Sequence, residues 1–257
     1  MSKNALIKKQ ARLLLRGNWV PIIVGWVIVM LTYITLFYIQ SLMLLVFDQI
    51  DSDGKIYNML EPATILIVSA SYLCMVFFSP LINGAIRLSA NLVKNRQTYT
   101  NEMFYFFSKP KLYFKTILFN MIVVWFFLFI SKLADAYGYA SAFLSANLGD
   151  SDLPPENVLI LLAALAVSIV VYVMAYFLLV HYQMIVYSIE PERGAFGCTF
   201  LLVPFVFKHF GKALSLFCGF IGWFSLCFFV VPAMYTVPYF ITASANEVYW
   251  LLKKERQ

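Results

Sequence analysis

Side chains that commonly catalyse reactions or bind metals are few in this sequence and stand far apart. Its two histidines, His181 and His209, have no Cys or carboxylate at metal-ligand spacing nearby, and its four cysteines form no CxxC pair. A role at helix ends or at the membrane interface is the simpler alternative for the histidines, as is apolar filling between helices for the cysteines. We expect no metal and no cofactor.

Two acidic segments are the remaining candidates for chemistry. Residues 51–54, DSDG, resemble a fragment of a calcium-binding loop without the rest of its pattern, so a solvated turn is the alternative. Glu190, Glu192 and Arg193 allow a site that hydrolyses lipid headgroups, or simply a solvated loop after a helix. A Gly-rich phosphate loop with Lys and Ser/Thr is absent. We therefore expect a protein that is not an enzyme.

The composition indicates a membrane protein. Of 257 residues, 62% are hydrophobic and 12% are charged, whereas soluble domains are about 25% charged. The net charge of +6 would also suit a nucleic-acid partner. However, the cations cluster between apolar segments, which favours a membrane surface and argues against nucleic acid.

Apolar segments of bilayer-spanning length predict an all-α fold with six transmembrane helices. A spanning helix needs roughly 20 residues. The last apolar stretch, 213–252, would measure about 60 Å as one helix, so we divide it near Pro232 and Pro238. The predicted spans are 19–47, 62–90, 113–133, 157–187, 213–230 and 233–251.

The distribution of cations predicts the orientation. With these spans, 17 of 19 Lys and Arg fall on one side, and eight of 13 acids fall on the other. The positive-inside rule places the basic side in the cytoplasm, together with both termini. The predicted organisation is a cytoplasmic amphipathic segment (1–18), a six-helix domain (19–252) and a cytoplasmic tail (253–257).

Three segments predict helices lying at the inner membrane surface: 1–18, 98–107 and 195–210. In the first, Ala5, Leu6, Leu13 and Leu14 give a partial apolar face beside cations. A basic turn followed by an apolar run with a Trp recurs three times, which favours three hairpins, each preceded by an interfacial helix; chance similarity is the alternative. The candidate headgroup-binding residues are Lys8, Lys9, Arg12, Arg16, Trp19, Arg87, Lys94, Arg96, Lys109, Lys111, Lys115, Lys208 and Lys212.

Ionisable residues are expected near the ends of the predicted spans. These are Arg87, Lys132, His181 and Glu247. Ion-coupled transporters usually keep such groups at mid-depth, so this placement disfavours that class. The few polar residues within spans, Gln40, Ser69, Ser71, Asn120 and Ser168, suit hydrogen bonds between helices better than a substrate path.

Several motifs, spread over nearly the whole chain, resemble a family of bacterial integral membrane proteins known as domain of unknown function 975. They are ARLLLRGNW (11–19), SPLINGAIR (79–87), YSIEPERGA (187–195), FIGW (220–223), Pro238-Tyr239 and Tyr249. The chain departs from the family at Ser79, where Gly is frequent, and at 202–204. The resemblance implies a multi-pass protein of the cell membrane, typically in Gram-positive bacteria, and supplies no reaction.

These observations lead to two functional hypotheses. The first is a non-enzymatic multi-pass protein of the bacterial cell membrane, with an envelope, assembly or regulatory role. Its partners would be the bilayer, with anionic headgroups of the cytoplasmic leaflet, or another membrane protein. The alternative is a small-molecule transporter or transporter subunit, in which Pro80, Pro232 and Pro238 break helices beside a cavity. A membrane enzyme ranks third.

Overall fold

The computed structural model describes residues 3–49, 61–94, 97–133, 135–148, 155–200, 202–228 and 230–255, which are almost entirely helical and contain no strand. In chain order, the first half contains α1 (Lys3–Leu15), α2 (Trp19–Val46), α3 (Pro62–Phe78), α4 (Pro80–Val93), a 3-10 helix (Thr100–Phe107), α5 (Pro110–Leu133) and α6 (Ala136–Leu148).

The second half begins with α7 (Pro155–Tyr176), which passes through a π-helical turn (Phe177–His181) into α8 (Tyr182–Ile189). A 3-10 turn (Pro191–Arg193), α9 (Ala195–Thr199) and α10 (Val203–Cys218) follow, and then α11 (Ile221–Phe224), a 3-10 turn (Ser225–Phe228) and α12 (Val230–Glu255).

Proline positions explain several helix boundaries. Pro62, Pro80 and Pro204 each stand in the first turn of a helix, where the missing N–H would have had no intrahelical acceptor. The kink predicted near Pro80 is therefore a change from α3 to α4. Gly17 has a φ of 85°, a left-handed conformation that joins α1 to α2 at little steric cost.

Four helical segments are long and apolar enough to cross a membrane: Trp19–Val46, Pro62–Val93, Pro110–Lys132 and Asn157–Ile189. A fifth is obtained only if α10 and residues 221–227, which meet at a bend of 50°, count as one span. The described residues thus contain four to five helical segments that could cross a membrane, and the six-span prediction is not confirmed.

The last two predicted spans differ most from the structure. α10 begins at Val203 and continues through residue 213, so the predicted surface segment and the start of the fifth span form one helix. α12 runs unbroken through Pro232 and Pro238. A 3-10 turn ends at Phe228 and α12 begins at Val230, close to the break that the sequence predicts near Pro232. α12 is not among the spanning helices, because its second half is polar.

The bundle has a tightly packed end and a loosely packed end. We call the first the basic end: α2 and α5 begin there, and α4, α8 and α12 end there. α4 is buried almost throughout. By contrast, in the most apolar 18-residue stretch of each helix that could cross a membrane, only 11% to 33% of the residues are buried within the protein. The remaining apolar surface requires lipid or a partner to cover it.

A stack of aromatic rings stabilises the basic end. The ring of Tyr187 on α8 lies 4.1 Å from that of Phe119 on α5 and 5.8 Å from that of Phe106 on the 3-10 helix. Its hydroxyl is 2.9 Å from the Thr116 hydroxyl. All four side chains are buried. They join α8, from the second half of the chain, to the 3-10 helix and α5, from the first half.

The 3-10 helix packs directly on α4 at Gly84. A Cβ added to this glycine would lie 2.8 Å from the carbonyl carbon of Met103 and closer still to its oxygen. The two backbones therefore touch, which a residue with any side chain would prevent.

Helix α6 packs against α7 at the opposite end. The backbone N–H of Tyr137 donates to the Ser168 hydroxyl at 3.0 Å. The predicted short helix is therefore present and packs on α7, whereas a role of its small residues in that packing stays a prediction. The first of these small residues, Ala134, lies outside the described residues, as do residues 51–54 of the acidic loop.

Candidate functional site at the basic end

Three of the predicted headgroup-binding cations donate to backbone carbonyls at the C-terminal end of α8 or in the turn that follows it. Arg87 reaches Ser188 O at 3.3 Å, Lys94 reaches Ile189 O at 2.6 Å, and Lys115 reaches Pro191 O. The last carbonyls of a helix lack intrahelical donors and lie at the negative end of its dipole. These cations therefore connect α4 and α5 to α8, and their charge is directed into the protein.

Arg87 makes a further contact that ties in the 3-10 helix. The central carbon of its guanidinium lies 3.6 Å from the centre of the Tyr105 ring, within the range of a cation–π interaction. Arg87 thus bridges the end of α8 and the aromatic segment that the sequence placed at the membrane surface. Its position favours a structural role over contact with lipid.

Lys8 repeats this arrangement at the end of α10. Its ammonium donates to the Gly219 carbonyl and lies 4.6 Å from the centre of the Phe220 ring. Burial lowers the pKa of Lys8 because the charged form loses hydration. The same residue accepts a hydrogen bond at its carbonyl from the Tyr239 hydroxyl, at 3.2 Å. Lys8 therefore anchors α1 to α10 and α12.

The two lysines of α10 pair with neighbouring side chains. Lys208 donates to Glu255 at 3.0 Å, and the Lys212 ammonium lies 3.2 Å from His209 Nδ1. The hydrogen bond from Lys208 is the main reason why the pKa of Glu255 is lowered. Since 66% of the Lys208 side chain is exposed, this pair contributes little to stability.

The remaining α1 cations lie on its outer surface beside leucines. Lys9, Arg12 and Arg16 are exposed, and Leu6 and Leu13 are 47% and 58% exposed. The opposite face, Ile7, Ala11 and Leu15, is buried in the core. The apolar face predicted from Leu6 and Leu13 is therefore separate from the face that packs on protein.

A second exposed basic group stands at the start of α5. Lys109 and Lys111 are exposed, and the nearby Phe104 and Phe114 are 47% and 61% exposed. Arg96, another candidate, lies outside the described residues. Trp19, predicted to be an interfacial anchor, packs edge-on against Tyr235 with ring centres 5.4 Å apart.

Buried polar residues on α12 form contacts that the sequence did not predict. The Tyr182 hydroxyl lies 3.4 Å from the Glu247 carboxylate, which is 2% exposed, and Thr242 donates to the Ser89 hydroxyl at 3.1 Å. We had expected Glu247 to reach an interface near the end of a span. In the structure Glu247 instead packs against α8. The run of small and polar residues around it in the sequence is the feature that could have indicated a buried contact between helices.

The described residues contain no group of three His, Cys, Asp or Glu side chains that could hold a metal ion. His181 lies in the π-helical turn among aromatic rings, the nearest ring centre being that of Phe177 at 4.9 Å. Glu190 pairs with Arg193 within one turn, at 2.5 Å. The segment 190–193, considered above as a hydrolytic site, therefore contains an ion pair at the surface.

The fold defines the class of the protein: a helical protein whose described part contains four to five helices that are long and apolar enough to cross a membrane. Comparison of the chain with protein-family models, with curated proteins and with solved structures gives no match. Membership of the family that the motifs resemble stays a prediction.

Proposed function

We propose that the chain is a non-enzymatic multi-pass protein of the bacterial cell membrane, with an envelope, assembly or regulatory role. In this proposal its cytoplasmic surface engages anionic lipid or a membrane-protein partner. The observation that carries it is the set of exposed cations next to exposed apolar side chains. We call this set the collar, and it consists of Lys9, Arg12, Arg16, Lys109 and Lys111.

The physical basis is the different role of the other cations. Lys8, Arg87, Lys94 and Lys115 neutralise helix ends inside the protein, which leaves the collar to face outward. Each cation near an anionic membrane surface contributes about 1 kcal/mol of attraction. Exposed Leu13 next to these charges would insert its apolar side chain among the lipids.

For the topology, we propose an even number of crossings with both termini in the cytoplasm. The helices α2, α3–α4, α5 and α7–α8 cross, and the hairpin of α11 and α12 enters from the cytoplasmic side and returns. Support comes from the contact between Tyr235 and Trp19, the first residue of α2. α12 begins only about 8 Å from Tyr235, whereas α2 extends about 40 Å from Trp19. Six full crossings would require this short hairpin to reach the far side.

The alternative of a small-molecule transporter would be favoured by a polar cavity that reaches the middle of the membrane. The cavity between α2 and α12 has an almost entirely apolar lining, with Trp26 and Tyr33 as its most polar members. It therefore offers no path for a hydrated solute. The transporter hypothesis stays a prediction, and two of the three prolines that suggested it, Pro232 and Pro238, lie within the unbroken helix α12.

The collar is tested by removing charge from the start of α5. The double variant Lys109→Gln/Lys111→Gln is reconstituted in vesicles of phosphatidylglycerol and phosphatidylcholine, and spin-labelled lipids report which headgroup is enriched around the protein. We expect the preference for phosphatidylglycerol to fall about fivefold or more at low salt and the difference to shrink at about 1 M salt. Lys132→Gln, an exposed lysine at the opposite end, is the control. An unchanged preference in the double variant would refute the collar.

A further inference from the structure

A cavity of about 640 Å³ opens where α1, α2, α11 and α12 meet. It is lined by Arg12, Trp19, Trp223, Tyr235 and Tyr239. The ring centres of Trp223 and Tyr239 are 6.1 Å apart, and those of Trp19 and Tyr235 are 5.4 Å apart. Arg12, Trp223 and Tyr235 are exposed, so the cavity is accessible from outside the protein.

The charge of this cavity selects an anion. Arg12 is the one charged side chain among its lining residues, and the guanidinium carbon lies 5.9 Å from the centre of the Tyr239 ring. Four aromatic rings could also attract a quaternary ammonium group, but Arg12 would repel it. A phosphate, by contrast, suits the forked donors of a guanidinium.

A separate apolar groove of about 480 Å³ lies between α2 and α12. The groove and the cavity share no lining residue, but Ile23 of the groove follows Trp19 of the cavity by one turn of α2, and Met234 and Pro238 of the groove directly precede Tyr235 and Tyr239 on α12. On α2 the lining extends from Ile23 to Ile34, about 16 Å. This matches half the hydrocarbon thickness of roughly 30 Å, the depth of one leaflet.

We propose that the cavity and groove together bind one anionic glycerophospholipid, with its phosphate at Arg12 and an acyl chain along α2. The inference rests on the proposed membrane location, because it requires the groove to face the inner leaflet. It differs from the collar in stoichiometry: the collar attracts many lipids weakly, whereas this site retains one. Trp and Tyr side chains suit such a position, since they combine apolar rings with donors at the headgroup level.

The experiment counts lipids on the intact, detergent-purified chain. The protein is delipidated and titrated with palmitoyl-oleoyl phosphatidylglycerol or phosphatidylcholine, and native mass spectrometry measures the adducts that remain. We expect one phosphatidylglycerol per chain, with phosphatidylcholine retained at least fivefold less. Arg12→Gln should lower retention of phosphatidylglycerol at least fivefold. Lys132→Gln, which removes an exposed cation outside both the lining and the collar, should leave it unchanged.

A second pair of variants tests the groove without altering charge. Met30→Trp fills the groove, whereas Leu31→Trp places the same side chain on the adjacent exposed position outside the lining. We expect only Met30→Trp to reduce retention. Equal losses in Arg12→Gln and Lys132→Gln would overturn the site, as would full retention in Met30→Trp or equal retention of both lipids. Detection of a dimer of the chain, without a bound lipid, would also overturn the proposed site. Since annular enrichment is measured separately through Lys109 and Lys111, loss of the site leaves the collar test intact.

Discussion

Replacing Gly84 by alanine should destabilise the protein, because α4 and the 3-10 helix touch there through their backbones. The added Cβ would lie 2.8 Å from the Met103 carbonyl carbon and 3.1 Å from its Cα, distances at which something must move. Met103 and Phe106 are both fully buried, so the 3-10 helix cannot shift without disturbing the core. Gly84→Ala should therefore separate the two elements.

The expected magnitude combines two opposing effects. Overpacking a well-packed core costs about 1–3 kcal/mol, and a backbone neighbour places this site at the upper end of that range. Alanine in place of glycine within a helix gives back about 1 kcal/mol. The net loss of about 2 kcal/mol should lower the Tm by about 4–8 °C for a chain of this length.

The assay is thermal unfolding in a single detergent, monitored by tryptophan fluorescence. Two other glycines provide matched controls in this assay. A Cβ at Gly211 would meet nothing within 4 Å, so Gly211→Ala should leave the Tm unchanged or raise it by a few degrees, about 1–4 °C. At Gly25 the nearest atom is the flexible Leu88 Cδ1 at 2.7 Å, and the loss should be intermediate. A Tm of Gly84→Ala equal to that of the wild-type chain would refute the reasoning about close backbone packing.

Two further predictions use the reactivity of cysteines, one to test burial of a native cysteine and one to test the membrane topology with introduced cysteines. Burial raises the pKa of Cys198 to about 11, which lowers its thiolate fraction at pH 8. Alkylation of Cys198 by iodoacetamide in detergent, measured by peptide mass spectrometry, should therefore be about 100-fold slower than alkylation of the exposed Cys218. Similar rates at the two cysteines would contradict the burial of Cys198. The second prediction concerns the topology. Single cysteines that replace Lys55 or Asp152 in a cysteine-free background should react with an impermeant thiol reagent in intact cells, whereas a cysteine that replaces Lys254 should not. Labelling at all three positions, or at position 254 alone, would reject the orientation.

The spanning helices were predictable because their signal is local. An apolar run of bilayer length is helical whatever it packs against, since every backbone group must be satisfied within the segment. The predicted and observed limits of the first span, 19–47 and Trp19–Val46, agree within one residue at each end. The fourth, 157–187, corresponds to the continuous helix Asn157–Ile189. The π-helical turn inside it gave no signal that periodicity could reveal.

The last hairpin was harder to predict for a reason of geometry. A count of apolar residues cannot tell a helix that crosses the bilayer from one that enters and packs on protein. Residues 239–248 are buried against α1, α4 and α8, so the apolar and the polar residues of this stretch both belong to the protein core. Glu247 is buried in the same contact, whereas the sequence placed it at an interface.

Sequence by itself determined the helical class, the main apolar segments and the clustering of cations along the chain, because composition and spacing act locally. Only the tertiary structure decided what each cation does. Lys94 and Lys111 are equivalent in a list of basic residues, yet one donates to the end of α8 and the other is exposed. The difference arises because the carbonyls of a helix end lack donors, and only the folded chain determines which lysine comes within reach of them.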